Sequence, residues 1–348
     1  MIFSKYNFLY ESKHGYLLYN SASNAFIELD KNSFDKLKQI ENNPSLFDEL
    51  GDRSKEKLIA AKVFVEDDNQ FFYNKRMNFY FNTFDSANLG LAIAPTTHCN
   101  FACSYCYEGN HKPLYMTEEI EKQVITFIKE HNRIKHLNLT WYGGEPLLGF
   151  DSIKRLIRDI SKIPNLMLGQ HTMTSNGYLL SKEKSMFFKD FPLTCIQITI
   201  DGNKESHDSR RTLSPHKEPT YNVIIKNIEE FIKLNPDTRV AIRANLDHSN
   251  AETFIEVYSE LSEKWKGENV IVYPAFVKDF SSIYKKKNDN NFAVNGCRDL
   301  CFTASEKMCF FESLYTKYGL NVNFAPEYVY SEQTDPSFLK LTPLLEGH

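Results

Sequence analysis

The chain has 348 residues, 42% of them hydrophobic, and a formal net charge of −4. That length holds one large α/β domain with one or two small appendages, and the slight negative charge excludes the basic footprint that duplex nucleic acid requires. No run of about 18 apolar residues is present, so no membrane span is expected. The opening Met1-Ile-Phe-Ser-Lys-Tyr lacks the apolar core of a secretory signal, and seven cysteines without such a signal point to a reducing cytoplasm.

The first 80 residues differ in pattern from the rest. Phe8-Leu-Tyr-Glu and Tyr16-Leu-Leu-Tyr-Asn20 read as short strands around Lys13-His-Gly15, with a third strand at Ala25-Phe-Ile-Glu-Leu-Asp30. From Asn32, Phe34, Leu37 and Ile40 recur at helical spacing. A second helix is expected from Ser54 to Ala61, and Val63-Phe-Val65 is expected to pair with Gln70-Phe-Phe-Tyr73 as a β-wing.

From about residue 89 strands and helices alternate, which predicts a parallel β/α architecture. Leu89–Ala94 is the first strand. Its exit loop reads Pro95-Thr-Thr-His-Cys99-Asn-Phe-Ala-Cys103-Ser-Tyr-Cys106. Thr117 caps the next helix, with Ile120, Val124, Phe127 and Ile128 as its predicted buried stripe. His136–Tyr142 is a second strand, followed at once by Gly143-Gly144-Glu145-Pro146, and Asp151–Ile160 a second helix. Met167–Thr174 leads into Ser175-Asn176-Gly177. Cys195–Ile200 leads into Asp201-Gly202. A helix carries Ile224, Ile225, Ile228, Phe231 and Ile232, and Thr238–Asn245 and Val270–Tyr273 are the fifth and sixth strands. All the motif turns fall at C-terminal ends of strands, where ligands gather in parallel α/β proteins.

The C-x3-C-x2-C loop places three thiolates on one short segment. A [4Fe–4S] cluster normally takes four cysteines, so three leave one iron open. The alternatives for these thiols are a zinc site, with His98 as the only nearby imidazole, or three buried thiols. In the second turn, two glycines permit close approach of the backbone. Glu145 can accept a charge-assisted bond from an ammonium, and Pro146 stiffens the exit.

Cys99, Cys103 and Cys106 in this spacing, followed some forty residues later by the G-G-E-P turn, resemble the radical SAM superfamily. The resemblance implies an open (β/α)6 partial barrel over residues 85–280, a [4Fe–4S] cluster on the three cysteines, and S-adenosylmethionine on the fourth iron. It further implies that Tyr105, Gly143, Gly144, Glu145, Pro146, Ser175, Asn176, Thr199, Asp201 and Arg211 line the cofactor site. In this family a reduced cluster cleaves S-adenosylmethionine to methionine and a 5′-deoxyadenosyl radical, which abstracts hydrogen from the substrate. An electron donor such as flavodoxin or ferredoxin is implied.

Thr199-Ile-Asp201-Gly202 with His207, Asp208 and Arg211 resembles the S-x-D-G-x4-H-D-x2-R signature of members that act on peptides and proteins, with Thr in place of Ser. The His207–Arg211 stretch reads either as a brace for its loop or as a direct contact. Arg243 and Asn245 fall where relatives carry a similar Arg-x-Asn. The order of elements in residues 1–80 resembles a PqqD-like winged helix, which binds a leader peptide as an added strand; a simple cover for the barrel is the alternative. Cys195 reads as a packed thiol. Residues 281–348 form a C-terminal extension in which Cys297, Cys301 and Cys309 are either auxiliary cluster ligands of a SPASM-like region or helix core. The chain ends at Glu346-Gly-His348, before a full SPASM domain, which implies a shortened chain or a subfamily without one. The reading is a peptide maturase that forms a thioether, a carbon–carbon link or an epimer on a leader-bearing precursor peptide. The alternatives are a formylglycine-generating sulfatase maturase and a non-catalytic leader-binding protein.

Overall fold

The computed structural model describes residues 1–12, 15–106, 108, 113–278 and 300–319. They fall into two compact units, the first holding Met1–Asp85 and the second beginning at Ser86. Among the described residues no helix is long and apolar enough to cross a membrane.

The first unit contains β1 (Ile2–Phe3), β2 (Asn7–Ser12), β3 (Gly15–Asn20), β4 (Ala25–Leu29), α1 (Lys31–Asn42), a 3-10 turn at Pro44–Glu49, α2 (Asp52–Ala60), β5 (Phe64–Val65) and α3 (Asn69–Phe84). An antiparallel sheet runs β2-β3-β4, so β4 is an end strand. Its alternation sends Ala25, Ile27 and Leu29 into a core with Phe34, Leu37 and Ile40 of α1. The carboxylate of Asp30 caps α1 by accepting from Ser33 N–H at 2.7 Å. The expected wing is not formed: β5 pairs antiparallel with β1, and Gln70–Tyr73 lies in α3. With the partner strand supplied by β1, the Phe-Phe-Tyr run needs no ladder. Local bonds favour the helix: Asp67 accepts from Asn69 N–H at 2.8 Å, and Gln70 donates to Asn74 one turn on at 2.9 Å.

The second unit alternates strand and helix: β6 (Asn88–Ile93), α4 (Glu118–Glu130), β7 (His136–Trp141), α5 (Phe150–Ile160), β8 (Met167–Ser175), α6 (Lys182–Asp190), β9 (Cys195–Thr199), α7 (Lys204–Arg210), α8 (Tyr221–Leu234), β10 (Arg239–Leu246), α9 (Phe254–Lys264), β11 (Val270–Phe276) and α10 (Ala304–Tyr318). The six strands pair in parallel in their order along the chain, β6 and β11 at the two ends. This is the α/β fold of an open (β/α)6 partial barrel. Right-handed crossovers in that order place the helices on one face of the sheet. Leu137, Leu139, Trp141, Met173, Ile196, Ile198, Val240 and Ile242 fill that face as one core. The opposite face stays half-open and polar, with Thr140, Thr172, Gln197, Arg243 and Tyr273 on it.

In α4 the buried face is set by Glu121 and Ile128, while Ile120 and Phe127 are exposed. The predicted stripe is rotated because Arg155 of α5 neutralises Glu121 through two bonds of 2.7 Å, which lets a carboxylate occupy an inward position.

Candidate active site

Three strand exits converge on the cysteine loop that follows β6. The first is the turn after β7. Gly143 has φ +113°, and a Cβ there would overlap the carbonyl of Thr96; at Gly144 it would overlap the carbonyl of His98. The glycines thus admit the backbone of the cysteine loop itself, which is what the sequence could not specify. Glu145 N–H donates to the His98 carbonyl at 2.9 Å, stitching the two turns together.

The side chain of Glu145 is fully buried. It accepts from Leu147 N–H at 3.0 Å, from the Ser175 hydroxyl at 2.9 Å and from Asn176 N–H at 2.7 Å. Burial raises its pKa above the ordinary carboxylate range, and these three donors pull the other way. The Asn176 amide nitrogen reaches Asn100 Oδ1 at 2.8 Å and Cys99 Sγ at 3.9 Å. Ser175 and Asn176 therefore connect Glu145 to the first cysteine. Pro146 begins a buried 3-10 turn.

The second corner is built from β9, β10 and the segment Asp201–Arg211. Tyr105 donates its hydroxyl hydrogen to Asp201 Oδ2. The same hydroxyl accepts from Arg211 Nη1 at 2.6 Å and from Asn245 Nδ2 at 3.2 Å. Asn245 N–H donates to Asp201 Oδ1 at 3.1 Å. Arg210 lies over the Tyr105 ring at 5.0 Å, approaches Asp201 at 3.9 Å and donates to Asp247 at 2.8 Å. Burial raises Asp201, opposed chiefly by Arg211. For Asp247, burial would raise the pKa, yet the Ser249 and Arg210 donors hold it below its ordinary value. Backbone bonds complete the seam: Ala102 N–H to Thr212 O at 2.9 Å and Ser214 N–H to Asn100 O at 2.9 Å.

His207 and Asp208 brace this corner. Asp201 N–H donates to His207 Nδ1 at 3.2 Å, so Nε2 carries the proton and donates to Thr220 Oγ1 at 3.1 Å. The Thr220 hydroxyl passes the chain on to the Arg211 carbonyl at 2.7 Å. Burial, with Arg211 and Arg210 nearby, holds His207 well below its usual pKa and neutral. Asp208 accepts from Thr220 and Tyr221 N–H at 2.8 and 2.9 Å, fixing the start of α8. Thr199 is buried at the end of β9. Arg210, Asp247, Asn250 and Thr220 were not singled out in the sequence. The polar run Asn245–Asn250 at the C-terminal end of a strand was the available signal.

The residues present fit a [4Fe–4S] cluster with an anionic ligand. Cys99, Cys103 and Cys106 lie close enough to interact electrostatically, and burial pushes the Cys99 thiol up to about 12. A thiolate there needs a metal-borne positive charge to hold it. Two buried donors without a partner, Asn100 Nδ2 and Arg211 Nε, lie beside the Cys99 and Cys103 side of the loop. Among the described residues no three His, Cys, Asp or Glu side chains are grouped to hold a single metal ion. Of the other cysteines, Cys195 is half-buried on β9, Cys301 half-buried before α10, and Cys309 exposed on α10. Cys297 lies outside the described residues, as does most of the 281–348 extension.

Residues 93–261 match the model of the radical SAM superfamily. Among curated relatives, the chain is 24% identical over 235 residues to the radical SAM cyclopropyl synthase TigE of Paramaledivibacter caminithermalis, covering 59% of this chain and 48% of that one. It is 28% identical over 159 residues to the GTP 3′,8-cyclase of Clostridium perfringens, covering 45% of this chain and 48% of that one. The chain thus spans about half the length of these relatives. A solved structure, native anSMEcpe with bound AdoMet and Kp18Cys peptide, superposes with a TM-score of 0.53 at 21% identity, over 66% of this chain and 59% of that one, and shows the same fold. Residues 93–261 are a radical SAM domain, the domain type whose cofactors are a [4Fe–4S] cluster and S-adenosylmethionine.

Proposed function

We propose that this chain is a radical SAM enzyme acting on a peptide or protein, with a ribosomally made precursor peptide as substrate. The observation that carries the reading is the seam between the cysteine loop and the segment Thr199–Arg211: the segment resembling the peptide-type signature is bonded to the cysteine loop through Tyr105. The relative solved with a Kp18Cys peptide supports the same substrate class.

When bound, the cluster and S-adenosylmethionine supply a 5′-deoxyadenosyl radical for hydrogen abstraction. Cys99, Cys103 and Cys106 would hold the cluster. Glu145, with one oxygen engaged by two donors and the other by one, keeps acceptor capacity for the cofactor's ammonium. Arg211 Nε, buried and unpartnered, is suited to its carboxylate. Gly143, Gly144, Pro146, Ser175 and Asn176 hold Glu145 and the cysteine loop in register, and Tyr105, Thr199 and Asp201 shape the opposite wall. Residues 1–80 would take the leader as a strand added beside β4, with α1 closing the groove, and a flavodoxin or ferredoxin would supply the electron.

A nucleotide substrate is the second reading, favoured by the similarity to a GTP 3′,8-cyclase. A triphosphate calls for several cations, whereas Arg243 is the one cation among the half-buried residues of the open face near the cysteine end, among the described residues. The test is anaerobic reconstitution of the full chain with S-adenosylmethionine, a reductant and, in turn, GTP or the short peptides encoded beside its gene. We expect 5′-deoxyadenosine and a mass change in a peptide, both abolished when Cys99, Cys103 and Cys106 are replaced by Ala. Formation of 5′-deoxyadenosine with GTP and with no peptide would overturn the reading.

A further inference from the structure

Three arginines of the second unit are buried or half-buried, and two of them meet carboxylates: Arg210 meets Asp247 and Asp201, and Arg211 meets Asp201. Arg243 does not. It lies in β10, half-buried, on the open face of the sheet, in register with Thr199 on β9 and Tyr273 on β11. Its Nε donates to Asn245 Oδ1 at 2.8 Å, a neutral acceptor. Among the described residues no carboxylate comes within ion-pair distance of it. A guanidinium carries five N–H donors, and four of these belong to the two Nη groups, the edge that pairs with a carboxylate in a two-pronged fork.

The surroundings sharpen this. Tyr273 donates to Gln197 at 2.7 Å, and Thr140 and Thr172 bond each other at 2.9 Å, so these neighbours are hydrogen-bonded among themselves. Asn245 is fixed from the other side by Tyr105 and Asp201, which pins the Nε edge of Arg243. The result is an oriented, charged fork on an otherwise neutral polar face, one residue pair from the cysteine loop. Keeping a cation partly out of water without a counter-charge is unfavourable unless a ligand brings one.

We propose that Arg243 is a specificity-determining residue that receives a carboxylate side chain, Asp or Glu, of the peptide substrate. This rests on the peptide reading above for the identity of the ligand. The shared chemistry is a carboxylate, and the cofactor's own amino-acid end is the other source, so the test separates the two.

The experiment uses the full chain, anaerobically reconstituted and saturated with S-adenosylmethionine. Two probe pairs are titrated by calorimetry: acetyl-Gly-Gly-Glu-Gly-Gly-amide against its Gln counterpart, and N-acetyl-glutamate N-methylamide against N-acetyl-glutamine N-methylamide. We expect each Glu probe to bind about tenfold more tightly than its Gln partner, the scale of one charge-assisted pair. Arg243→Gln should bring the ratio to about one, and Arg243→Lys should leave part of it, because a point charge replaces a fork. S-adenosylmethionine affinity should hold within about twofold in both variants. Equal binding of Glu and Gln probes by the unaltered chain would overturn the proposal without any variant being needed. So would a loss of S-adenosylmethionine affinity in Arg243→Gln, which would assign the carboxylate to the cofactor. If the small Glu probe is preferred but no peptide is ever turned over, the peptide reading fails while the role of Arg243 stands.

Discussion

Two buried carboxylates flank the cysteine loop, and they are stabilised by different physics. Glu145, at the exit of β7, is surrounded by neutral donors: two backbone N–H groups and a hydroxyl. Asp201, at the exit of β9, faces two guanidiniums, a phenol and one N–H. Both are fully buried. The first corner is a pocket for an anion that keeps acceptor capacity. The second is a charge network whose members lean on one another, with the Nε of Arg211 left over. A ligand's cation suits the first, and the second is a clamp on the loop.

The comparison breaks most visibly if the clamp is opened. Asp201→Ala leaves Arg210 and Arg211 short of a counter-charge and Tyr105 without its acceptor. Removing one partner of a buried ionic network costs about 3–5 kcal/mol. Guanidinium unfolding followed by tryptophan fluorescence reads this directly, since the only two tryptophans, Trp141 and Trp265, both lie in the second unit. A loss below about 1 kcal/mol would mean that the network is wet and the contrast with Glu145 is void.

A third buried polar group shows what neutral satisfaction costs by itself. Trp141 Nε1–H donates to His171 Nε2 at 2.8 Å, so Nδ1 carries the proton and donates to the Pro192 carbonyl at 2.9 Å. A second ring proton, on Nε2, would face the Trp141 N–H donor instead of an acceptor. Burial lowers the His171 pKa from its ordinary 6.5 to about 4. The folded pKa is depressed, so this contribution to stability is complete above about pH 6.5 and is lost as the pH falls toward about 4. The span corresponds to about 3 kcal/mol. The unfolding midpoint should decline over that interval, and His171→Gln should flatten the decline. An unchanged slope in the variant would transfer the effect to other groups.

The legible and illegible parts of this site divide along the same line. Cys99, Cys103, Cys106 and the Gly143–Pro146 turn could be read because each motif is local and sits at a strand end. The partners that satisfy them are remote: Tyr105 and Asp201 are 96 residues apart, Arg210 and Asp247 are 37 apart, and Trp141 and His171 are 30 apart. No periodicity encodes such pairs. The glycines announced a close approach without saying to what, and the partner is the cysteine loop's own backbone. The β/α alternation was legible from buried strands, whereas α6, α7 and α9 were not singled out. The first carries Met186, Phe187 and Phe188 in adjacent positions and the second is seven residues long with little apolar content. In the first unit, the wing failed as a prediction because strand partners are chosen by the fold, and β1 claimed β5.

The smallest of these effects sits at the first corner. Glu145→Gln keeps the shape and one acceptor oxygen but turns an NH2 toward a donor. Placing the amide nitrogen at the Oε2 position sacrifices the bond from Asn176 N–H and preserves those from Leu147 and Ser175, so this orientation is favoured. One buried N–H is then unpaired, at a cost of about 1–3 kcal/mol. Burial already raises the Glu145 pKa, and a protonated carboxyl presents the same oxygen-plus-donor pattern as the amide. The penalty of Glu145→Gln should therefore shrink as the pH falls. Because Asn176 also reaches Asn100 and Cys99, its displacement should lower the iron bound per chain after reconstitution. A Glu145→Gln loss as large as that of Asp201→Ala, independent of pH, would show that Glu145 too belongs to a charged network, and the two corners would no longer differ in kind.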